Sequence, residues 1–353
     1  MDWAELSRWL PRIEKRIGLS YRQTLRETPP MFHHDLETLR EFTLRGGKRL
    51  RALLVLAGFH IASGRSPTPA LGAAVALEHF QSWMLIHDDI IDHSEQRRGG
   101  VTVHRALAGA HRSEGLLGDA GEYGVGMGIT LGDLQEPYTV AALRSVPLAA
   151  ERRLRALDEY VRMTRMTAFG QLLDIRNGLT PVEQVSEEKV LLVHRLKSAY
   201  YTVSGPLRIG AILGGGGPAL LKELEEIGLD LGIAFQLRDD VIGCGLNGKP
   251  GEKSANDLTE GKRTLLVVRA RERGLPKSRA ALEVALGNPK ATDEEVRAAQ
   301  RAIIDSGSLQ YSEQRIRALE ARASLRINKS RRLGPTGKQL LREIAEKLLW
   351  RDR

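Results

Sequence analysis

The stretch LIHDDIIDHSEQRRGG, residues 85–100, places three aspartates at the end of an apolar helical pattern and two arginines just beyond it. The pattern runs from about residue 70 to 93 and predicts a long helix. Asp88 and Asp92 are four residues apart and Asp89 lies three before Asp92, so a helix brings the three carboxylates to one side. Like charges this close together are unfavourable unless cations neutralise them.

Hard carboxylate oxygens at this spacing suit Mg²⁺, which binds few carboxylates and takes its other ligands from water and substrate phosphates. The alternative interpretation is a solvated acidic face of a helix. Ile90 and Ile91 lie among the aspartates and the preceding turns are apolar, which argues against full exposure. The spacing therefore predicts a magnesium site at the end of this helix.

Two basic segments that contain glycine are of a kind that binds phosphate. Arg97-Arg98-Gly99-Gly100 follows the aspartates, and RGGKRLR at 45–51 precedes a further helical pattern. Guanidinium groups match phosphate oxygens, glycine lets the backbone come close, and a helix start favours anions. Alone, each is also compatible with an ordinary basic turn, and neither has Walker-loop spacing. Beside the aspartates, they predict phosphate clamps.

A second acidic cluster lies in FQLRDDVIG, residues 235–243. Gln236 lies three before Asp239 and four before Asp240, so the three polar groups project together from a helix. Polar residues also interrupt apolar helical patterns in GQLLD (170–174) and KSA (197–199). GEKS (251–254) and DLTEGKRT (257–264) add two lysines and an aspartate, Asp257, near glycines. A lone lysine is usually solvated, and a Gln/Asp pair three apart is often a helix-face hydrogen bond. These segments therefore carry weight only as a set.

The composition predicts one helical domain. The chain has 353 residues, of which 42% are hydrophobic and only 5% aromatic, and strand signals are nearly absent. We therefore expect a single all-α domain over residues 1–353, a helical bundle. Gly46-Gly47 is predicted to split one helical run and Gly205-Pro206 to kink another. Residues 105–125, rich in glycine and polar side chains, are predicted to form a loop or short irregular pieces.

The net charge of +9 is compatible with nucleic acid, a membrane surface or small anions as ligands. The sequence has no basic stripe interleaved with aromatic residues, which argues against nucleic acid. Its single cysteine, Cys244, fits a reducing compartment. Neither a secretory signal nor a run of about 18 apolar residues occurs. We therefore expect small phosphates as ligands, no stable membrane insertion and a cytoplasmic location.

The ordered set of motifs resembles the trans-isoprenyl diphosphate synthase family, also called polyprenyl synthases; it consists of GGKRLR, HDDIID, RRGG, Gly132-Asp133, GQLLD, KSA, FQLRDD and EGKRT. The resemblance runs from about residue 40 to 270, with a weaker match through Trp350-Arg351. It implies an all-α bundle around a central cavity, usually a homodimer. It also implies that three Mg²⁺ ions bridge the aspartate clusters and an allylic diphosphate. This diphosphate leaves, the double bond of isopentenyl diphosphate attacks the carbocation, and a proton is lost.

The resemblance also assigns roles to individual residues. The expected metal ligands are Asp88, Asp92 and Asp239, with Asp89 and Asp240 in or near the metal shell. The side chains expected to hold the allylic diphosphate are Arg97, Lys197, Lys253 and Lys262. Those expected to hold isopentenyl diphosphate are Lys48, Arg51 and Arg98. Ser198 and Gln236 are expected to lie near the reacting carbons.

Several positions depart from the common family pattern. Gln81 stands where a histidine that contacts isopentenyl diphosphate is frequent, and it keeps a hydrogen-bond donor without a charge. Gly243 stands where many members have the last aspartate of the second cluster, and Ser198 replaces a common threonine. Lys253 is assigned to the family's lysine position, with Lys249 as a competitor.

Product length is predicted from residues one turn before Asp88. Met84 lies directly beneath Asp88 on a helical wheel, whereas Trp83 is roughly 140° away and reaches a cavity only from the side. The family pattern nevertheless assigns the limiting aromatic to Trp83, unless this residue is simply part of the core. An aromatic there predicts a short product, geranylgeranyl (twenty carbons) over farnesyl (fifteen carbons).

Two other functions compete with an elongating enzyme. A non-catalytic subunit of a heteromeric synthase would keep the fold, but it would not need both aspartate clusters. A terpene cyclase of the same general fold would need no site for isopentenyl diphosphate, so the paired GGKR and RRGG motifs argue against it.

Overall fold

The computed structural model describes residues 1–246 and 256–350, which form two compact units. The first unit comprises Met1–Asp158 and Ile209–Gly216, and the second comprises Glu159–Arg208 with the described part of Gly217–Arg353. The all-α prediction is confirmed, and that of a single domain stays a prediction. None of the described helices is long and apolar enough to cross a membrane.

The first unit is built from helices and one short hairpin. Its elements are α1 (Trp3–Ser7), α2 (Leu10–Glu27), α3 (His33–Leu44), α4 (Leu50–Ser63), α5 (Leu71–Ile91), β1 (Gln96–Arg97), β2 (Gly100–Val101), α6 (Val103–Glu114), α7 (Ala120–Asp133), α8 (Gln135–Arg144) and the start of α9 (Ala150–Leu179). Short 3₁₀ turns at Pro30–Phe32 and Thr68–Ala70 precede α3 and α5.

Helix α5 forms the centre of this unit. It is apolar on nearly every face, with buried side chains that include Ala73, Ala76, Leu77 and Phe80. A helix that is hydrophobic all round is stable only when neighbours cover it, and α2, α4, α7 and α8 pack against it. The buried helix thereby fixes the position of its acidic end, where Asp92 is the C-cap residue.

The second unit begins within α9 and is also helical. After a 3₁₀ turn at Val182–Gln184 it contains α10 (Glu187–Val193), a π-helix (His194–Ser204), α11 (Gly205–Leu213), which ends in the first unit, α12 (Pro218–Gly243), α13 (Asn256–Thr259), α14 (Leu265–Arg273), α15 (Pro276–Ala285), α16 (Asp293–Asp305), α17 (Ser308–Lys329) and α18 (Pro335–Leu349).

Close packing of α12 on the π-helix organises this unit. A Cβ atom at Gly232 would lie 2.5 Å from Ala199 Cα, and one at Gly228 would lie 2.7 Å from Ser204 Cα. Real Cβ atoms do not approach other atoms so closely, so both positions need glycine. The two helices therefore come near enough for polar side chains one turn further along to meet.

The predicted kink at Gly205-Pro206 takes the form of a π-helix that ends where α11 begins. Pro206 has no backbone N–H, so it cannot donate the usual bond to the carbonyl four residues back. The N–H of Gly205 instead donates to Tyr200 O, five residues earlier. Such π segments often occur at functional sites, and this one carries the predicted residues Lys197 and Ser198.

The prediction of a loop over residues 105–125 is wrong, because helices α6 and α7 cover most of that stretch. Every fourth residue of α7 from Gly124 to Gly132 is a glycine. These glycines let the helix pack closely on its neighbours and do not form a turn. A Cβ at Gly124 would overlap the carbonyl oxygen of His104 in α6, and one at Gly132 would lie 2.5 Å from His87 Nε2 in α5. Glycine composition alone does not distinguish these two uses.

The predicted near-absence of strands holds for the described residues except at one hairpin. Strands β1 and β2 pair antiparallel, with Gln96 opposite Val101. Arg98 and Gly99 form the turn between them with φ angles of 53° and 74°. Two successive positive φ angles are typical of the type I′ turn that matches strand twist. The predicted break at Gly46-Gly47 is confirmed, because α3 ends at Leu44 and α4 begins at Leu50.

We predict that Gly124→Ala destabilises the protein and that Gly126→Ala, in the same helix, does not. A Cβ at Gly126 meets no atom within 4 Å, so alanine there should raise the free energy of unfolding by about 0.5–1 kcal/mol through helix propensity. Alanine at 124 should instead lower it by about 1–3 kcal/mol through overpacking. Urea unfolding followed by circular dichroism measures both. Equal effects would contradict the packing role of Gly124.

Candidate active site

The first aspartate cluster lies at the C-terminal end of α5, as predicted. Asp88 and Asp89 belong to its last turn, and the N–H of Asp92 donates to Asp88 O at 2.8 Å. Asp88 and Asp92 are half-buried, whereas Asp89 is fully buried. A helix C-terminus carries a partial negative charge, so carboxylates placed there have an increased need for a cation.

The buried Asp89 is paired with Arg97 of the hairpin. Arg97 donates to Asp89 Oδ1 from Nε at 2.8 Å and from Nη2 at 2.5 Å. Burial raises the pKa of the Asp89 carboxyl, and the Arg97 guanidinium opposes that shift. Arg97 was predicted to bind diphosphate, and in this structure its guanidinium holds the acidic end of α5 to the hairpin.

The two basic segments interlock through their arginines. Arg45 Nη1 donates to the carbonyls of Arg97 at 3.2 Å and Val101 at 2.8 Å. In return, Arg98 Nη1 donates to the carbonyls of Arg45 and Gly46, both at 3.3 Å. The glycines of both motifs make room for this exchange: a Cβ at position 47 would lie 3.0 Å from the Arg98 guanidinium carbon, and one at position 100 would overlap the Arg45 guanidinium.

Arg49 fixes the turn between α3 and α4 from inside. Its backbone is left-handed, with φ of 47°, and its buried guanidinium donates to Thr43 O at 2.8 Å and to Glu78 Oε2 at 3.1 Å. On either side of it, Lys48 is exposed and Arg51 is half-buried. The sequence motif alone does not show that the middle basic residue is structural.

Three further predicted residues lie on α5. Gln81, Trp83 and Met84 are all half-buried. The Trp83 indole Nε1 donates to Asp133 Oδ1 of α7 at 3.2 Å. The Trp83 indole therefore points toward α7.

In the second unit, the predicted polar residues of α12 and the π-helix form a chain of hydrogen bonds. Ser198 Oγ donates to Gln236 Oε1 at 2.8 Å, and Gln236 Nε2 donates to Asp240 Oδ1 at 3.0 Å. Asp240 is buried, whereas its neighbour Asp239 is half-buried. The expected convergence of Gln236 and Asp240 is confirmed.

His194 extends this chain and was missed from the sequence. Its Nε2 lies 3.1 Å from Asp240 Oδ2, and both side chains are buried. The signal that could have found it is its position three residues before Lys197 in a segment already noted for polar residues. The second aspartate of this cluster, like that of the first, thus has partners inside the protein.

The GQLLD and KSA segments meet in the same unit. Lys197 Nζ donates to Asp174 Oδ2 at 2.6 Å. Gly170 makes this approach possible, because a Cβ there would lie 2.6 Å from Lys197 Cα. The two segments, each weak evidence alone, are neighbours in the fold.

The carboxylate of Asp257, from α13, lies directly beside Gly243. A Cβ at this position would overlap Asp257 Oδ2 and lie 2.5 Å from its Cγ. Burial raises the pKa of Asp257 to about 6; Lys262, whose Nζ donates to Asp257 Oδ1 at 3.1 Å, opposes this shift, and the charge of Asp240 adds to it. Position 243 itself supplies no carboxylate, as the sequence shows, and Asp257 of α13 brings one to the same place.

Two predicted candidates lie outside the described residues. These are Lys253 and its competitor Lys249. Lys262, the remaining predicted lysine, is 40% exposed and also contacts Glu260 Oε2 at 2.8 Å.

The donors of the first cluster fit Mg²⁺. They are oxygen ligands only, and Asp89 Oδ2 is buried beside them with no hydrogen-bond partner. Residues 1–246 and 256–350 contain no preformed group of three or more His, Cys, Asp or Glu side chains suited to a metal. Mg²⁺ typically takes one or two protein carboxylates and completes its shell with water and phosphate.

The comparisons with known proteins all point to the same family. A polyprenyl synthetase family model matches residues 34–303. Geranylfarnesyl diphosphate synthase of Aeropyrum pernix is 31% identical over 87% of this chain and 91% of that protein. Geranylgeranyl diphosphate synthase of Methanosarcina mazei is 34% identical over 75% of this chain and 74% of that protein.

The fold agrees with that comparison. A geranylgeranyl pyrophosphate synthase from Corynebacterium glutamicum, crystallised with isoprenyl diphosphate and magnesium, superposes with a TM-score of 0.90 at 32% identity over 99% of both chains. The fold is that of the prenyl diphosphate synthases. The chain belongs to the polyprenyl synthetase family, a family of prenyltransferases, and the resemblance inferred from its motifs is confirmed.

We predict that restoring the family's last aspartate by Gly243→Asp, or adding a methyl group by Gly243→Ala, destabilises the protein. Either side chain would overlap the Asp257 carboxylate, which should lower the free energy of unfolding by about 1–3 kcal/mol. Gly178→Ala is a matched control near the end of α9, because a Cβ there meets nothing within 4 Å. Thermal unfolding measures all three. If Gly243→Ala is as stable as Gly178→Ala, Asp257 does not occupy this space.

Proposed function

We propose that this protein condenses isopentenyl diphosphate with an allylic diphosphate (dimethylallyl, geranyl or farnesyl) to make a short all-trans prenyl diphosphate. The end of α5 carries the proposal: Asp88 and Asp92 remain half-exposed while Arg97 neutralises the buried Asp89. Such an arrangement leaves two carboxylates partly accessible to a metal–diphosphate complex, while the third, in the core, is paired with a guanidinium.

The proposed metal ligands are Asp88 and Asp92 in the first unit and Asp239 in the second, with three Mg²⁺ ions in total. Bound Mg²⁺ would neutralise the charge that develops on the departing diphosphate. In this proposal, Asp89 and Asp240 do not bind the metal themselves. Asp89, bound by Arg97, holds the neighbouring Asp88 in place, and Asp240, in contact with Gln236 and His194, does the same for Asp239.

Basic residues are proposed to hold the two diphosphates. For the allylic substrate these are Arg97, Lys197, Lys262 and Lys253, and for isopentenyl diphosphate they are Lys48, Arg51 and Arg98, with Gln81 as a neutral donor. Lys197 and Lys262 are ion-paired with Asp174 and Asp257. These carboxylates fix the ammonium groups before substrate arrives, which lowers the entropy lost on binding.

The proposed reaction breaks the allylic C–O bond, with pyrophosphate as the leaving group. The double bond of isopentenyl diphosphate forms the new C–C bond, and the resulting cation then loses a proton to the released pyrophosphate, which restores a double bond. Ser198 and Gln236 are the proposed polar groups near the reacting carbons. Their mutual hydrogen bond at 2.8 Å and the bond from Gln236 to Asp240 hold both in fixed orientations.

The proposed product is geranylgeranyl diphosphate. Several relatives bear that name, including proteins of Geoglobus acetivorans, 30% identical, and Methanosarcina mazei, 34% identical. The relative from Aeropyrum pernix is named for the longer geranylfarnesyl product, and farnesyl diphosphate is the shorter alternative. We also propose a homodimer in the cytoplasm.

The decisive experiment incubates the purified protein with Mg²⁺, isopentenyl diphosphate and each allylic primer, and then sizes the products by chromatography. We expect mainly twenty-carbon product, and no product when EDTA replaces Mg²⁺. Asp305→Ala, an exposed aspartate at the end of α16, should match the wild type and controls for nonspecific loss of a carboxylate. Absence of condensation with every primer would favour a non-catalytic subunit instead.

A further inference from the structure

The Trp83 indole is tied to the neighbouring helix by a hydrogen bond. Its Nε1 donates to Asp133 Oδ1 at 3.2 Å, and Asp133 is the last residue of α7. Indole nitrogen is only a donor, so this bond selects one orientation of the ring. Asp133 itself is 61% exposed, so its carboxylate is not needed to satisfy the core.

Two further rings hold the same indole from its own helix. Phe80, fully buried, meets Trp83 edge-on with ring centres 6.0 Å apart, and His87 does so at 6.2 Å. His87 Nε2 lies 3.4 Å from Asp133 Oδ1, the oxygen that accepts the indole N–H. The indole is therefore held between residues one turn before and one turn after it, with Asp133 closing the side toward α7.

The approach of α7 that makes this possible depends on a glycine. A Cβ at Gly132 would lie 2.5 Å from His87 Nε2. Because Gly132 admits His87, the next residue, Asp133, comes within reach of both His87 and Trp83. The Gly132-Asp133 pair thus has a specific geometric role in this chain: glycine sets the spacing between the helices and aspartate fixes the ring.

We propose that Asp133 is a positioning residue for product length, which it controls by holding the Trp83 indole in one rotamer. The proposal rests on the proposed function and on Trp83 as the residue that limits chain growth. A large side chain limits growth only while it keeps its place, because staggered rotamers otherwise exchange readily at a half-buried site. Without the carboxylate, the indole can turn away and a longer chain can be accommodated.

The test compares the product distributions of Asp133→Ala and Asp133→Asn with that of the wild type. Loss of the acceptor should raise the ratio of longer to normal product roughly three- to tenfold, the population change that one hydrogen bond controls. Asp133→Asn keeps an acceptor oxygen and should restore the normal distribution. An unchanged distribution in Asp133→Ala would overturn the proposal.

The Trp83→Phe background separates positioning from general loosening of α7. Phenylalanine has no N–H, so Asp133→Ala should cause no additional lengthening there, and the two substitutions should be non-additive. If Asp133→Ala lengthens the product equally in both backgrounds, Asp133 acts on length without holding the indole, and the proposal is wrong.

A measurement without substrate distinguishes failure of this proposal from failure of the proposed function. The indole N–H signal of Trp83, assigned by its absence in Trp83→Phe, should exchange with solvent more slowly in the wild type than in Asp133→Ala. Equal exchange rates would overturn the anchoring whatever the activity. Slower exchange in a wild type that makes no product would uphold the anchoring contact and contradict the enzymatic function, and with it any role of Asp133 in product length.

Discussion

Adjacent carboxylates on a helix repel each other, and the way this protein satisfies them determines the rest of the site. In each aspartate pair, the second member is buried and bound within the protein. Arg97 pairs with Asp89, and Gln236 and His194 contact Asp240. An unpaired buried charge would be costly, so these partners are required for the carboxylates to lie where they do. The first member of each pair stays half-exposed and is the one proposed to bind metal.

A related constraint accounts for glycines in both units. Bringing a guanidinium, a lysine or a carboxylate to its partner requires neighbouring groups to approach closely. Gly100 admits Arg45, Gly170 admits Lys197, and Gly243 admits Asp257. Gly100 and Gly243 accommodate protein side chains and Gly170 accommodates the backbone of Lys197, whereas the sequence had suggested that glycines beside arginines accommodate phosphate.

The long helix, its acidic end and the meeting of Gln236 with Asp240 could be predicted because they depend on local spacing along one helix. The helices α6 and α7 could not, because a glycine serves a turn or a close contact depending on what lies opposite. The contact of His194 with Asp240 and that of Asp257 with the space beside Gly243 could not be predicted for a related reason. Both arise from tertiary packing, which spacing along a single helix does not record.

The division of labour within the first aspartate pair is the central claim, and calorimetric titration of Mg²⁺ with inorganic pyrophosphate tests it most directly. Asp88→Asn should lose Mg²⁺-dependent pyrophosphate binding while its thermal unfolding midpoint stays near that of the wild type. Asp89→Asn should lower that midpoint, because Arg97 loses its counter-charge. Unchanged pyrophosphate binding in Asp88→Asn, or an unchanged midpoint in Asp89→Asn, would contradict this account.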